Sequence, residues 1–144
     1  MRKFHILLAL IVSILVPASQ SRAQGAERYR VRLTTVPMDG GMRNTVAGFG
    51  SGTATLAGNK LSVTGTFDGL KSPATAVTLR SGVAKGVRGD AIGKLTATNA
   101  TKGSISGSID LTPDQVKGLH DGRLYIEVAS EKAPEGNLWG WLLK

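Results

Sequence analysis

Apolar and polar residues alternate with a period of two along most of the chain. Tyr29, Val31 and Leu33 alternate with Arg28, Arg30 and Arg32. Leu61, Val63, Gly65 and Phe67 alternate with Ser62, Thr64 and Thr66, and Ile105, Gly107, Ile109 and Leu111 with Ser104, Ser106, Ser108 and Asp110. Leu124, Ile126 and Val128 alternate with Tyr125, Glu127 and Ala129. Each run predicts a strand with one buried and one wet face. Further strands are expected over 49–57, 75–80, 92–98 and 138–143. Turn chemistry separates them: Asp39-Gly40-Gly41, Gly58-Asn59, Asp68-Gly69, Lys85-Gly86 and Gly89-Asp90. Short strands divided by such turns suit an antiparallel sandwich or a barrel. One segment breaks the alternation. Thr112 as cap, Pro113 at the first helical position and Gln115 three after the cap predict a helix of at most two turns near 112–120, with Val116 and Leu119 on its apolar face.

The N-terminus has a different pattern. Arg2 and Lys3 precede an apolar run from Ile6 to Val16, Pro17 breaks it, and Ser21-Arg22-Ala23 offers small residues at a cleavage site. This is the anatomy of a secretory signal peptide. The competing reading is a membrane anchor, but a spanning helix needs about 20 apolar residues, and this run has 11. Residues 1–23 are therefore expected to be a signal and 24–144 a single domain, with a second possible cut after Ala18. The expected location is secreted or periplasmic, and the remainder is expected to be soluble because it holds no segment of spanning length.

Composition narrows the chemistry. The 144 residues include 18 basic and 10 acidic side chains, a formal charge of +8, which falls to +5 without Arg2, Lys3 and Arg22. Cys is absent, which excludes disulfides, thiol nucleophiles and thiolate metal sites. After residue 23 the chain has one histidine, His120.

Several segments of the C-terminal half resemble a known family as an ordered set. Gly65-Thr66-Phe67-Asp68-Gly69-Leu70 leads into Ser72-Pro73-Ala74-Thr75-Ala76. Gly86-Val87-Arg88-Gly89, Leu111-Thr112-Pro113-Asp114-Gln115, Gly122-Arg123-Leu124-Tyr125-Ile126 and Pro134-Glu135-Gly136-Asn137-Leu138-Trp139-Gly140 follow. In this order and spacing they are similar to the CHRD domain, first described in chordin and found singly in exported bacterial proteins. The resemblance runs from about Tyr29 to Leu143. It implies an exported all-β domain, a Greek-key or immunoglobulin-like β-sandwich, without a settled activity. The departures from the family pattern matter. A His-x-His pair expected after the Pro-Ala-Thr-Ala run is Thr78-Leu79-Arg80 here. A third histidine, in a strand resembling Tyr-Val-Asn-Val-His-Thr, is Ala129. The closing motif has Asn137 for an acid and Trp139 for an arginine. Any function those histidines serve elsewhere is expected to be lost.

Candidate residues are few. His120 beside Asp121 suits a helix C-terminus better than a catalytic base, since no nucleophile motif partners it. Glu127, Glu131 and Glu135 read as a solvated acidic edge rather than a carboxylate pair. Met38 and Met42 could offer two thioethers to Cu(I), but two soft ligands make a poor site and apolar packing explains them. Arg28, Arg30 and Arg32 share one strand face and could meet a polyanion, with Arg80, Lys85 and Arg88 as a second cluster. The plainer reading is an edge strand guarded by charge. Arg88-Gly89-Asp90 is a common tripeptide that suits a turn. Trp139 and Trp141 share a face if 138–143 is a strand, either as a partner contact or as core. Asn99-Ala100-Thr101 fits an N-glycosylation pattern.

The sequence thus points to an exported, non-enzymatic binding or structural module with no cofactor, metal or nucleic acid implied. A protein partner at Trp139 and Trp141 is the first expectation. An acidic cell-surface polymer at Arg28, Arg30, Arg32, Arg80 and Arg88 is the second. A metal-dependent redox or hydrolytic enzyme is a third, which the missing histidines disfavour.

Overall fold

The alternating segments become eight antiparallel strands in a computed structural model that describes residues 25–144. The expected signal segment and its cleavage sites lie outside the described residues, apart from the domain that would follow them. The strands are β1 (Glu27–Thr35), β2 (Phe49–Ala57), β3 (Lys60–Asp68), β4 (Ala74–Ser81), β5 (Asp90–Ala97), β6 (Gly103–Asp110), β7 (Leu124–Ser130) and β8 (Ala133–Trp141). A 3-10 turn at Met42–Asn44 interrupts the β1–β2 connection.

The expected sandwich is corrected by the pairing. The strands run β1-β2-β3-β6-β5-β4-β7-β8, and the last returns to the first, making a closed barrel. β1 pairs with β2 over Glu27 to Leu33, then with β8 at Thr34 and Thr35. Arg30 adds a bridge to Leu143 through two backbone hydrogen bonds of 2.7 and 2.9 Å. Inward-facing glycines let the sheet bend far enough to close, as glycines at barrel corners do. Gly52 on β2 lies opposite Gly65 on β3. A Cβ on Gly52 would stand 2.6 Å from the Thr64 carbonyl oxygen and 3.1 Å from the Gly65 Cα. Because β1 has a partner on both sides, it is not an edge, and edge protection does not explain its arginines.

The inward alternate residues fill the barrel. Tyr29, Val31, Leu33, Leu61, Val63, Phe67, Leu79, Ile105, Leu124, Ile126 and Leu138 are all buried in one cluster. An eight-stranded barrel encloses about the volume its own side chains occupy.

The helix α1 (Pro113–His120) is where the capping signals put it. Thr112 Oγ1 accepts from the Gln115 amide at 3.3 Å, and Gln115 Oε1 accepts from the Thr112 amide at 2.9 Å. Leu111 and Leu119 join the barrel core, so the helix packs its apolar side onto that core. Gly122, at φ +70°, takes the left-handed conformation that stops it. Among the described residues no helix is long and apolar enough to cross a membrane.

Gly52→Ala is expected to destabilise the barrel by about 1–3 kcal/mol through overpacking against β3. Urea unfolding followed by tryptophan fluorescence measures the loss; an unchanged midpoint would show that the inner glycines are not what lets the sheet close.

Candidate anion-binding groove

Outward-facing residues of β1, β2 and β3, together with β8, line an open groove of about 1280 Å³. Arg30 and Arg32 come from β1, Ser51 and Thr53 from β2, Thr66 from β3, and Trp139 and Trp141 from β8. Lys85, Lys102 and Lys144 stand around it, and Asp68 is the one acidic side chain in its lining among the described residues. Lys102 faces Asp68 at 3.5 Å and Lys144 faces Glu27 at 2.8 Å. Arg30, Arg32 and Lys85 pair with no carboxylate among the described residues. The groove therefore carries uncompensated positive charge beside aromatic surface.

The two sequence-derived contacts are thereby brought together. The β1 arginines and the β8 tryptophans border one groove because β1 and β8 pair. Trp139 and Trp141 do share a face, with ring centroids 4.6 Å apart at 72°. Trp141 stacks on Tyr125 at 5.0 Å and is only 9% exposed; its indole N–H has no acceptor among the described residues. Arg28 points outward on β1 but lies beyond the groove.

Arg80 and Arg88 are engaged elsewhere. Glu127, expected on a wet face, is 5% exposed. Its strand phase does turn it out of the barrel, but the β4–β5 connection folds back over it. Arg80 Nε lies 3.1 Å from one carboxylate oxygen and Arg88 donates to the other at 2.9 Å. Arg88 also donates to the Glu135 carbonyl at 2.8 Å and lies 5.7 Å from the centre of the Trp139 ring. The Gly89 amide donates to the Tyr125 hydroxyl at 3.0 Å, and Arg80 donates to the Gly89 carbonyl at 3.0 Å. Arg88-Gly89-Asp90 thus anchors a connection to the barrel wall. Gly136, at φ +123°, leaves room for this carboxylate: a Cβ there would stand 3.2 Å from it.

The positions where the family pattern has histidines also meet on this wall. Thr78 lies opposite Glu127, Arg80 opposite Tyr125, and Ala129 opposite Ala76 on the paired strands β4 and β7. An arginine–glutamate clamp lies on the same wall. Asn137 is fully buried, accepts from the Ala47 amide at 3.2 Å and donates to Ser130 at 3.1 Å. It ties the β1–β2 connection to the β7–β8 hairpin.

The remaining candidates do not converge. His120 Nε2 lies 3.1 Å from Glu27, which also accepts from Tyr29 at 2.7 Å. The Lys144 hydrogen bond foremost, then that of Tyr29, draws the Glu27 carboxyl down from 4.5 to about 2, against an opposing cost of burial, with the charges of His120 and Lys144 adding to the lowering. Met38 is exposed, whereas Met42 packs against Val36, Val46 and Ala133. Glu131 and Glu135 are exposed. Asn99 is exposed in the β5–β6 turn. No group of three His, Cys, Asp or Glu side chains gathers to hold a metal among the described residues.

Sequence reasoning missed Lys102, Lys144 and the hydroxyl floor of the groove. The Gly58-Asn59 turn could have aligned β2 with β3, but nothing local announces the β1–β8 pairing.

The CHRD domain model matches residues 31–142, and the chain belongs to that family. Neither the curated proteins nor the solved structures contain a match to it.

Two outcomes are expected of the charged contacts. Glu127→Gln is expected to lower stability by about 2 kcal/mol, the scale of a charge-assisted hydrogen bond, as read by urea unfolding; stability within 0.5 kcal/mol of the parent would mean the clamp contributes little. Glu27 has its carboxyl lowered in the fold, so its contribution is complete above pH 4.5 and is lost as pH falls toward 2. Glu27→Gln is expected to flatten the pH dependence of stability in that window, measured as the urea midpoint at pH 5, 3 and 2.

Proposed function

We propose that this CHRD-family chain is an exported, non-enzymatic binding module whose groove holds a stretch of an acidic polymer. The observation that carries the reading is the meeting of Arg30 and Arg32 with Trp139 and Trp141 along one groove. Guanidinium groups present planar forks that suit carboxylates and other oxyanions. Without carboxylate partners among the described residues, Arg30, Arg32 and Lys85 retain charge to offer a ligand. The tryptophans give the same groove a fixed apolar wall, held from behind by Tyr125 and Arg88.

A protein partner seated on the tryptophan strand is less well supported. Interface anchors bury large exposed aromatic surface, and Trp141 is already nine-tenths covered. The metal-dependent reading finds little in the donor set: Thr78, Arg80 and Ala129 supply no imidazole. The N-terminal pattern of residues 1–23 supports export, to a place where acidic surface polymers are abundant.

The test is an amide NMR titration of the purified protein with alginate, a carboxylated polymer, at low and physiological salt. Salt-sensitive shifts are expected from Arg30 to Leu33, at Ser51 and Thr53, and at both indoles. Arg30→Ser with Arg32→Ser is expected to weaken binding at least about tenfold, or 1.4 kcal/mol, and to reduce the salt dependence, with the spectrum still that of a folded protein. A spectrum that does not move on titration would remove this reading.

A further inference from the structure

The register of four strands places nine hydroxyl side chains in a grid on the barrel's outer face. Arg32 lies opposite Ser51, Ser51 opposite Thr66, and Thr66 opposite Ser104. The next row runs Arg30, Thr53, Thr64 and Ser106, and the third runs Arg28, Thr55, Ser62 and Ser108. Each row starts at a β1 arginine and continues through three hydroxyls. Neighbours stand about 4.7–4.9 Å apart across the strands and about 6.6–6.8 Å apart along them. Eight of the nine are exposed and Thr55 is half-buried. Only the first row and part of the second lie in the groove; the grid extends past it over β3 and β6.

Strand propensity alone does not account for the grid. Thr favours strands, but Ser is not among the strand formers, and five of the nine are Ser. Solubility does not account for it either, because an ordinary exposed face mixes lysine with glutamate. Short hydroxyls do one thing well. Each both donates and accepts a hydrogen bond, and each loses little rotamer freedom when it does. Cross-strand partners keep several in place: Ser62 and Ser108 are 3.2 Å apart, and Thr53 and Thr64 are 3.4 Å apart.

We infer that the acidic polymer is a polysaccharide bearing carboxylates, with its carboxylates at the arginine column and its ring hydroxyls on the Ser/Thr grid. The inference rests on the groove reading and names the ligand class for it. Charge complementarity selects an acidic chain, and a field of paired donors and acceptors selects sugar rings over a polypeptide of equal charge.

The test compares alginate with poly-L-glutamate of matched length and charge, titrated into the purified protein at one ionic strength. The unaltered protein is expected to bind alginate about tenfold more tightly, the scale of one or two good hydrogen bonds. Ser62→Ala, Thr64→Val and Ser106→Ala together, all outside the groove, are expected to lower that preference severalfold while leaving polyglutamate affinity unchanged. Equal affinity of the unaltered protein for the two polymers overturns the inference and leaves the groove reading standing. A triple variant that folds and keeps the alginate preference undiminished does the same. Binding of neither polymer overturns both. The two-polymer comparison on the unaltered protein decides the matter even if the triple variant fails to fold.

Discussion

The seam between β1 and β8 is the contact on which the rest of the molecule depends. It is short: two residue pairs at Thr34 and Thr35, a bridge from Arg30 to Leu143, and the tight approach of Gly140 to the Arg32 backbone. Its effect is large because it joins the ends of the sheet. The inward side of β1 sends Tyr29, Val31 and Leu33 into the core, while the outward side brings its arginines next to the β8 tryptophans. In an open sheet of the same strands, those two groups would sit on opposite edges. Closure therefore makes the core and the groove in one step.

The wall formed by β4, β7 and β8 is organised around a single buried charge. Replacing a buried ion pair with apolar groups is often harmless, whereas removing one partner leaves a stranded charge. Glu127 has two arginine partners and a glycine at 136 that makes room for it, so the residues around it depend on one another. Arg80 and Trp139, two of the positions that differ from the pattern the resemblance implies, flank Glu127 on this wall. Trp139 packs against Arg88, and Arg80 and Arg88 both meet Glu127.

Much of this architecture was legible in the sequence. Period-two alternation located the strands, the Thr112–Gln115 box located the helix, and the phase of β1 and β8 put the arginines together and the tryptophans together. Three things were not legible. Alternation does not say which distant strand is a neighbour, so a sandwich and a barrel have the same signature. It says which way a side chain points but not whether another segment covers it, and Glu127 was misread for that reason. It also hides the hydroxyl grid, because β3 meets β6 across about 40 intervening residues and only register turns scattered Ser and Thr into rows. The glycines on the inner faces of β2 and β3 were the one local hint of strong curvature.

The position of the seam in the chain also constrains how the protein reaches its folded state. Thr34 and Trp139 are about 100 residues apart, so closure is the most non-local event in the molecule. Ring closure over such a span carries an entropic cost before any contact repays it, and topologies of this kind fold slowly. A chain still being synthesised has β1 and β7 as unpaired edges until β8 emerges. During that interval the partly made sheet is open to adhesion between copies. The strand β8 thus closes both sides of the sheet at once, covering the free edges of β1 and β7 in the same step that completes the groove.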